Sequence, residues 1–405
     1  MDPDSDIIST PSLPLEIVEY LAGFFWEDQA TLKVYTLICR SWNQVAKPYL
    51  YRSITIYDEF RLHELENLLE SNESMQHWIR ELRIEGGLRS ARDSPFDSWV
   101  FLLAMKLPNL LKRLHTLEFV SVQPYPSGLA TQQLEDFVSQ MTGFLTLKCL
   151  SFIDCSFQGG VLLSFIHGPQ HLEELHLHDI QMMSRTLVGQ DSDHPPPSMR
   201  LRKLKIHSTQ SDYAQPLPEF LKWFTSKECM STLQSVDIDV RYISGLKDTG
   251  AFLKTLGPTL RHLNLRFTDS QHWGHDRGSR EIIEHIDLGH NTELQSLKLH
   301  NPRHPAVLHL LSQVASPHLE KIVFDVTFTH VIRGLKTSDF EVLDQCLAQD
   351  NFQLLKEVWF MYSGMMNKDN TTQKMQTLMK GAYDRGILRL MKMSLTGSQC
   401  GVMTF

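Results

Sequence analysis

The chain carries 19 histidines and six cysteines, side chains that bind metals or act as bases and nucleophiles. His176-x-His178 would place two imidazoles on one face of a strand, and His272-x-x-His275 has Asp276 beside it. Neither pair has a third ligand at suitable spacing, so no metal site is expected. The cysteines, Cys39, Cys149, Cys155, Cys229, Cys346 and Cys400, are scattered with no C-x-x-C pair. Cys39 lies in a helical stretch without a nearby base. There is no G-x-S-x-G, P-loop, H-E-x-x-H or G-x-G-x-x-G following a strand. The expectation is a non-catalytic protein that needs no cofactor.

Composition points the same way. The 405 residues are 42% hydrophobic and 21% charged, ordinary values for a folded protein, and the net charge is -8. That charge makes no case for nucleic acid or for an anionic membrane. No run approaches the roughly 18 uninterrupted apolar residues of a membrane span. Met1-Asp2-Pro3-Asp4 is acidic with no apolar run behind it, unlike a signal peptide. Scattered cysteines suit a reducing interior, so a cytoplasmic and/or nuclear protein is expected.

The elements that must hold these side chains repeat. One phrase recurs, an aliphatic residue followed by apolar residues three and five positions on: Ile79-Leu82-Ile84, Leu114-Leu117-Phe119, Leu147-Leu150-Phe152 and Leu172-Leu175-Leu177. It continues as Leu201-Leu204-Ile206, Leu233-Val236-Ile238, Leu260-Leu263-Leu265, Leu294-Leu297-Leu299, Leu319-Ile322-Phe324 and Leu355-Val358-Phe360, with a weaker Leu388-Met391-Met393. The mean step is about 31 residues, and several copies share a proline lead-in, as at Pro108, Pro169, Pro258 and Pro317. The alternation predicts a short strand with one buried face. Segments between copies, such as Phe220 to Thr225, Arg280 to Ile286 and Phe340 to Leu347, have helical spacing. One strand and one helix cannot bury their apolar faces alone, so the units must stack. The phrase resembles a leucine-rich repeat. The resemblance implies an α/β fold, an irregular solenoid with a parallel sheet on its concave face. Asp191 to Pro197 and Ser270 to Gly278 read as loops.

The first fifty residues follow a different pattern. Pro14 suits a first helical turn, Ile17, Leu21 and Phe25 share a face, and Asp28 can cap a second helix. A third helix around Ser41 to Ala46 is expected to end at Pro48. So small a bundle cannot hide Phe24, Phe25, Trp26, Leu32, Val34, Tyr35, Leu37, Ile38, Trp42, Val45, Tyr49 and Leu50 by itself. A partner or the adjoining repeats must cover the rest.

Leu13-Pro14, Glu16-Ile17, Leu21, Thr31-Leu32 and Leu37-Ile38-Cys39-Arg40-Ser41-Trp42, in that order and spacing, resemble an F-box of the form common in fungal proteins. Tyr35 and the bulky Phe24-Phe25-Trp26 depart from the usual pattern. The resemblance implies an F-box over 9–52, repeats over 53–394 and a tail over 395–405. It further implies a substrate receptor for a cullin-type ubiquitin ligase, bound through a Skp-family adaptor to cullin and RING subunits. Adaptor contacts would fall on Leu13, Pro14, Ile17, Leu21, Leu32, Leu37, Cys39 and Trp42, each of which is otherwise a bundle core residue. A protein substrate would meet the strand residues between the buried ones, with Glu174, His176, Lys203, Lys205, Asp237, Arg266 and Trp359 as candidates. Charge along that face runs in alternating acidic and basic blocks, which suits selection by charge register. Three alternatives stay open: an F-box protein in a non-degradative complex, a repeat scaffold whose N-terminal helices are a cap, and an enzyme using the concave histidines.

Overall fold

A computed structural model describes residues 13–86, 99–100, 106–123, 139–157, 159–182, 200–207, 217–225, 228–240, 243–267, 275–300, 304–327, 337–363 and 368–392. The chain divides into two compact units, Met1–Lys148 and Cys149–Phe405. The division falls inside the repeat array, and the change of local grammar near residue 52 lies within the first unit.

In the first unit, α1 (Leu15–Phe24), α2 (Gln29–Ile38) and α3 (Arg40–Leu50) precede β1 (Ser53–Ile56), α4 (Glu59–Ser71), α5 (Glu73–Trp78), β2 (Glu81–Glu85) and β3 (Thr116–Val120). Pro14 is the N-cap of α1, one position before the expected helical turn. Asp28 caps α2 by accepting from the Thr31 N–H at 3.0 Å. Pro48 does not end α3, which runs on to Leu50. The N–H it lacks costs one bond in the last turn, where the helix is about to stop. Asp58 likewise caps α4, whose Leu62, Leu65 and Leu69 are buried at helical spacing. Strands β1, β2 and β3 pair in parallel, with Ile54, Leu82 and Leu117 in one row.

The second unit holds β4 (Cys149–Ile153), β5 (Ser156–Phe157), β6 (Glu174–His178), β7 (Gln181–Met182), β8 (Lys203–His207), β9 (Ser235–Asp239), β10 (His262–Arg266), β11 (Ser296–His300), β12 (Lys321–Thr327), β13 (Glu357–Ser363) and β14 (Leu388–Lys392). Apart from β5 and β7, which pair with each other, these strands lie side by side in chain order and all run parallel. The fold class is therefore α/β with parallel sheet, as the repeated phrase predicts. Helices connect the strands: Gly159–His167, Leu217–Thr225, Ile243–Leu256, His275–His285, His304–Gln313, Thr337–Leu347 and Lys368–Leu378. His275–His285 is helical where the sequence suggested a loop up to Gly278. The Asp191 to Pro197 segment lies outside the described residues.

Alternation decides which side chains enter the core. Leu150 and Phe152, Leu175 and Leu177, Leu263 and Leu265, and Ile322 and Phe324 are buried together with the leading leucines Leu172, Leu260 and Leu319. Many steps are closed by one carbonyl that accepts two successive N–H groups at the start of the next strand. Gln234 O, for instance, takes Arg261 N at 2.8 Å and His262 N at 2.9 Å. Threonines just before the phrase add a second tie. Thr146 donates to Leu114 O at 2.8 Å, and Thr232 to Leu201 O at 2.9 Å, each to the leading leucine one repeat earlier.

The last copy sits in a different frame from the expected Leu388-Met391-Met393. Leu388 pairs with Val358 and Leu390 with Phe360, so the phrase is Arg385-Leu388-Leu390. Arg385 replaces the leading leucine and donates to Leu347 O and Phe352 O at 2.7 and 2.8 Å. Among the described residues, no helix is long and apolar enough to cross a membrane.

Candidate interaction surfaces

The α1–α3 bundle has a very small core. Val18, Ala22, Leu32 and Ala46 are buried, and edge-on contacts link Phe25 to Tyr35 and Tyr35 to Trp42. Eight large apolar side chains stay exposed in this segment: Leu13, Leu15, Ile17, Tyr20, Phe24, Val34, Leu37 and Ile38. Ile17, Tyr20 and Phe24 recur at helical spacing, so they form one stripe of α1, with Leu13 just before the helix. Val34, Leu37 and Ile38 share a face of α2, with Leu37 84% exposed. Exposed aliphatic and aromatic groups at this density form an apolar patch larger than scattered surface hydrophobics make.

The residues expected to contact an adaptor divide accordingly. Leu13, Pro14, Ile17, Leu37 and Cys39 are exposed, while Leu21 and Trp42 are half-buried. Leu32 is fully buried and serves the bundle's own core. The Cys39 thiol is held below its usual pKa by hydrogen bonding to the Ser41 hydroxyl, 3.1 Å away.

The second candidate surface is the open face of the parallel sheet in the second unit. Glu174, His176, Lys203, Lys205, Asp237 and Arg266 come together there on β6, β8, β9 and β10, which are consecutive in the sheet. Trp359 stands apart on β13, where its indole N–H donates to Glu357 at 2.9 Å and Lys321 lies over its ring. Parallel register sets the alternating charge blocks side by side, so they largely neutralise one another. Glu174 meets Lys203 at 3.2 Å, and Asp237 meets His207 at 2.7 Å and Arg266 at 3.6 Å. Asp325 meets His300 at 2.8 Å and Lys298 at 3.9 Å. In the first unit Arg83 bridges Glu85 and Glu118 at 2.7 and 2.8 Å. A partner reading this face by charge must exchange its own groups for these pairs. The partly exposed pairs, Glu174 with Lys203 and Arg83 with its carboxylates, cost little to break, roughly 0–1 kcal/mol each, while the mostly buried Asp237–His207 and Asp325–His300 pairs cost more. Lys205, opposite His176 and Asp237 in the register, is the exception: burial and neighbouring Lys203 lower the pKa of its ammonium.

Protonation on this face is strongly biased. The neighbouring His176 imidazole, helped by Lys203, holds the Glu174 carboxyl at about 2 in spite of burial. Asp237 is also held at about 2, with burial opposing and His207 and Arg266 prevailing. Burial lowers His176, His178, His262 and His300, so these imidazoles are neutral near pH 7. The two signs separate in pH. The carboxylates contribute stability that is complete above their unfolded values and is lost only as pH falls toward 2. The histidines act earlier: below their ordinary value of 6.5 the unfolded chain takes up protons that the folded chain refuses. Thermal stability is therefore expected to fall between pH 7 and pH 5, measured as Tm by circular dichroism. His300→Gln, which removes one such group, should flatten the profile; a Tm constant across this window would contradict the burial of these rings.

The structure changes the histidine picture drawn from sequence. His176 meets Glu174 beside it and Cys149 on the neighbouring strand, rather than forming a ligand set with His178. The signal was present in the repeat frame, because aligning the phrases puts Cys149 directly opposite Glu174. His272 lies outside the described residues. No protein-family model matches the chain, and no curated protein matches it.

Proposed function

We propose that this protein is the substrate-recognition subunit of a cullin-RING ubiquitin ligase, with α1–α3 acting as an F-box and the strand-and-helix array as an irregular leucine-rich-repeat solenoid. The observation that carries the reading is the exposed apolar surface of α1 and α2 with the residue leading into them, which includes Leu13, Ile17 and Leu37 of the F-box-like pattern. Through it the chain binds a Skp-family adaptor, and cullin and RING subunits follow. The open sheet face then holds a protein substrate near the charged E2, so that the contribution is proximity and the chemistry belongs to other subunits.

The test is co-precipitation of the full chain with a purified Skp-family adaptor. Ile17→Asp/Leu37→Asp places two charges on the exposed face and spares the core, so it should remain folded and lose binding by at least a hundredfold. Buried interface residues dominate affinity, and a desolvated unpaired charge costs several kcal/mol. Leu32→Ala, by contrast, should act by destabilising the bundle. A folded wild type that does not bind would leave α1–α3 as a cap.

A further inference from the structure

We infer that Cys149, Glu174 and His176 form a binding site for a thiophilic divalent cation, zinc in the first instance. The inference stands apart from the ligase reading. It begins with register: β4 and β6 pair in parallel with Cys149 opposite Glu174 and Ser151 opposite His176. Leu150 and Leu175 turn into the core, so Cys149, Glu174 and His176 share the other face. Their sulfur, carboxylate oxygen and imidazole nitrogen all lie within 4.8 Å of one another. Tetrahedral zinc with bonds of about 2.0–2.3 Å holds its ligands roughly 3.5 Å apart. Small side-chain rotations therefore close the set around a metal, with no backbone movement.

A second observation points into the same space. His176 Nε2 is buried and faces the Glu174 carboxylate 3.3 Å away, in poor alignment for a hydrogen bond. A metal ion seated between them would engage both groups. The donor set of thiolate, imidazole and carboxylate favours zinc or cobalt over magnesium or calcium.

Lys203 and Lys205 flank the site on β8, and charge balance shows why they do not exclude a cation. Binding displaces the Cys149 thiol proton to solvent, and thiolate plus carboxylate then neutralise the two charges of the metal. Lys203, now 3.2 Å from Glu174, keeps one carboxylate oxygen while the metal takes the other. Three protein ligands leave a fourth position for water.

The experiment is titration of the full-length, reduced protein with Co2+, followed by absorbance, with metal content after dialysis against Zn2+ measured by atomic emission. The expected result is one equivalent, a thiolate-to-cobalt charge-transfer band, visible bands of tetrahedral intensity, and no displacement by millimolar Mg2+. Cys149→Ser should abolish the charge-transfer band, and His176→Gln should weaken binding at least tenfold, with both variants unchanged in circular dichroism. Absence of the band from wild type would overturn the inference. So would a band that survives Cys149→Ser, or zinc retained equally by both variants, which would place the metal at another site, such as Glu281, Glu284 and His285. Should one variant fail to fold, the other decides.

Discussion

Gly250→Ala is expected to destabilise the second unit by roughly 3 kcal/mol or more, the upper end of what overpacking costs. Gly250 lies within the helix Ile243–Leu256, where exchanging glycine for alanine ordinarily gains about 1 kcal/mol from helix propensity. Here the added Cβ would meet the His285 carbonyl oxygen at the end of the next helix, far inside contact distance. The obstacle is backbone and cannot rotate away. The two helices must separate, and the clash outweighs the propensity gain. Thermal denaturation should show a fall in Tm of roughly 6–12 °C. Gly386, at φ +70 with open space where a Cβ would stand, is the control: its alanine variant should lose only about 1 kcal/mol, from backbone strain. A Gly250→Ala protein as stable as wild type would mean that these helices do not touch.

Phe152→Ala should cost about 3–5 kcal/mol. Phe152 is fully buried, and its ring packs edge-on against Phe157 at 5.1 Å and Phe165 at 5.6 Å. Those rings come from β5 and the helix Gly159–His167. The cavity cannot easily collapse, because the β4 backbone is pinned in the ladder to β6. The replaced ring therefore leaves both lost transfer energy and an unfilled hole. Phe152→Leu, which keeps most of the volume, should cost about 1.5 kcal/mol or less. Urea denaturation with an unchanged m-value would assign both losses to the folded state. Equal losses for the two variants would argue against a rigid pocket.

The strands are legible in the sequence because their physics is local. Leu175 and Leu177 alternate with Glu174, His176 and His178, and period two can bury only one of those sets. Where sequence and structure part, the deciding interaction is remote. α1 carries two apolar stripes, and periodicity cannot say which faces inward; the structure buries Val18 and Ala22 and exposes Ile17. In the last repeat Arg385 fills a leucine position because carbonyls of the preceding repeat accept its guanidinium. A motif that scores apolarity must slip there. Charge blocks look available to a partner when read along the chain, yet Lys203 and Glu174 are 29 positions apart in sequence and 3.2 Å apart in space. The Cys149–Glu174–His176 cluster escapes a search for ligand spacing within one strand for the same reason, since it arises across two.

Amide hydrogen exchange on the full chain, with and without a purified Skp-family adaptor, addresses the ligase assignment most directly. Binding through the exposed apolar face should slow exchange in α1 and α2, over residues 13–38, and leave the strands of the second unit unchanged. Exchange unaltered across 13–38 at saturating adaptor, or protection confined to the sheet, would contradict an F-box role for these helices.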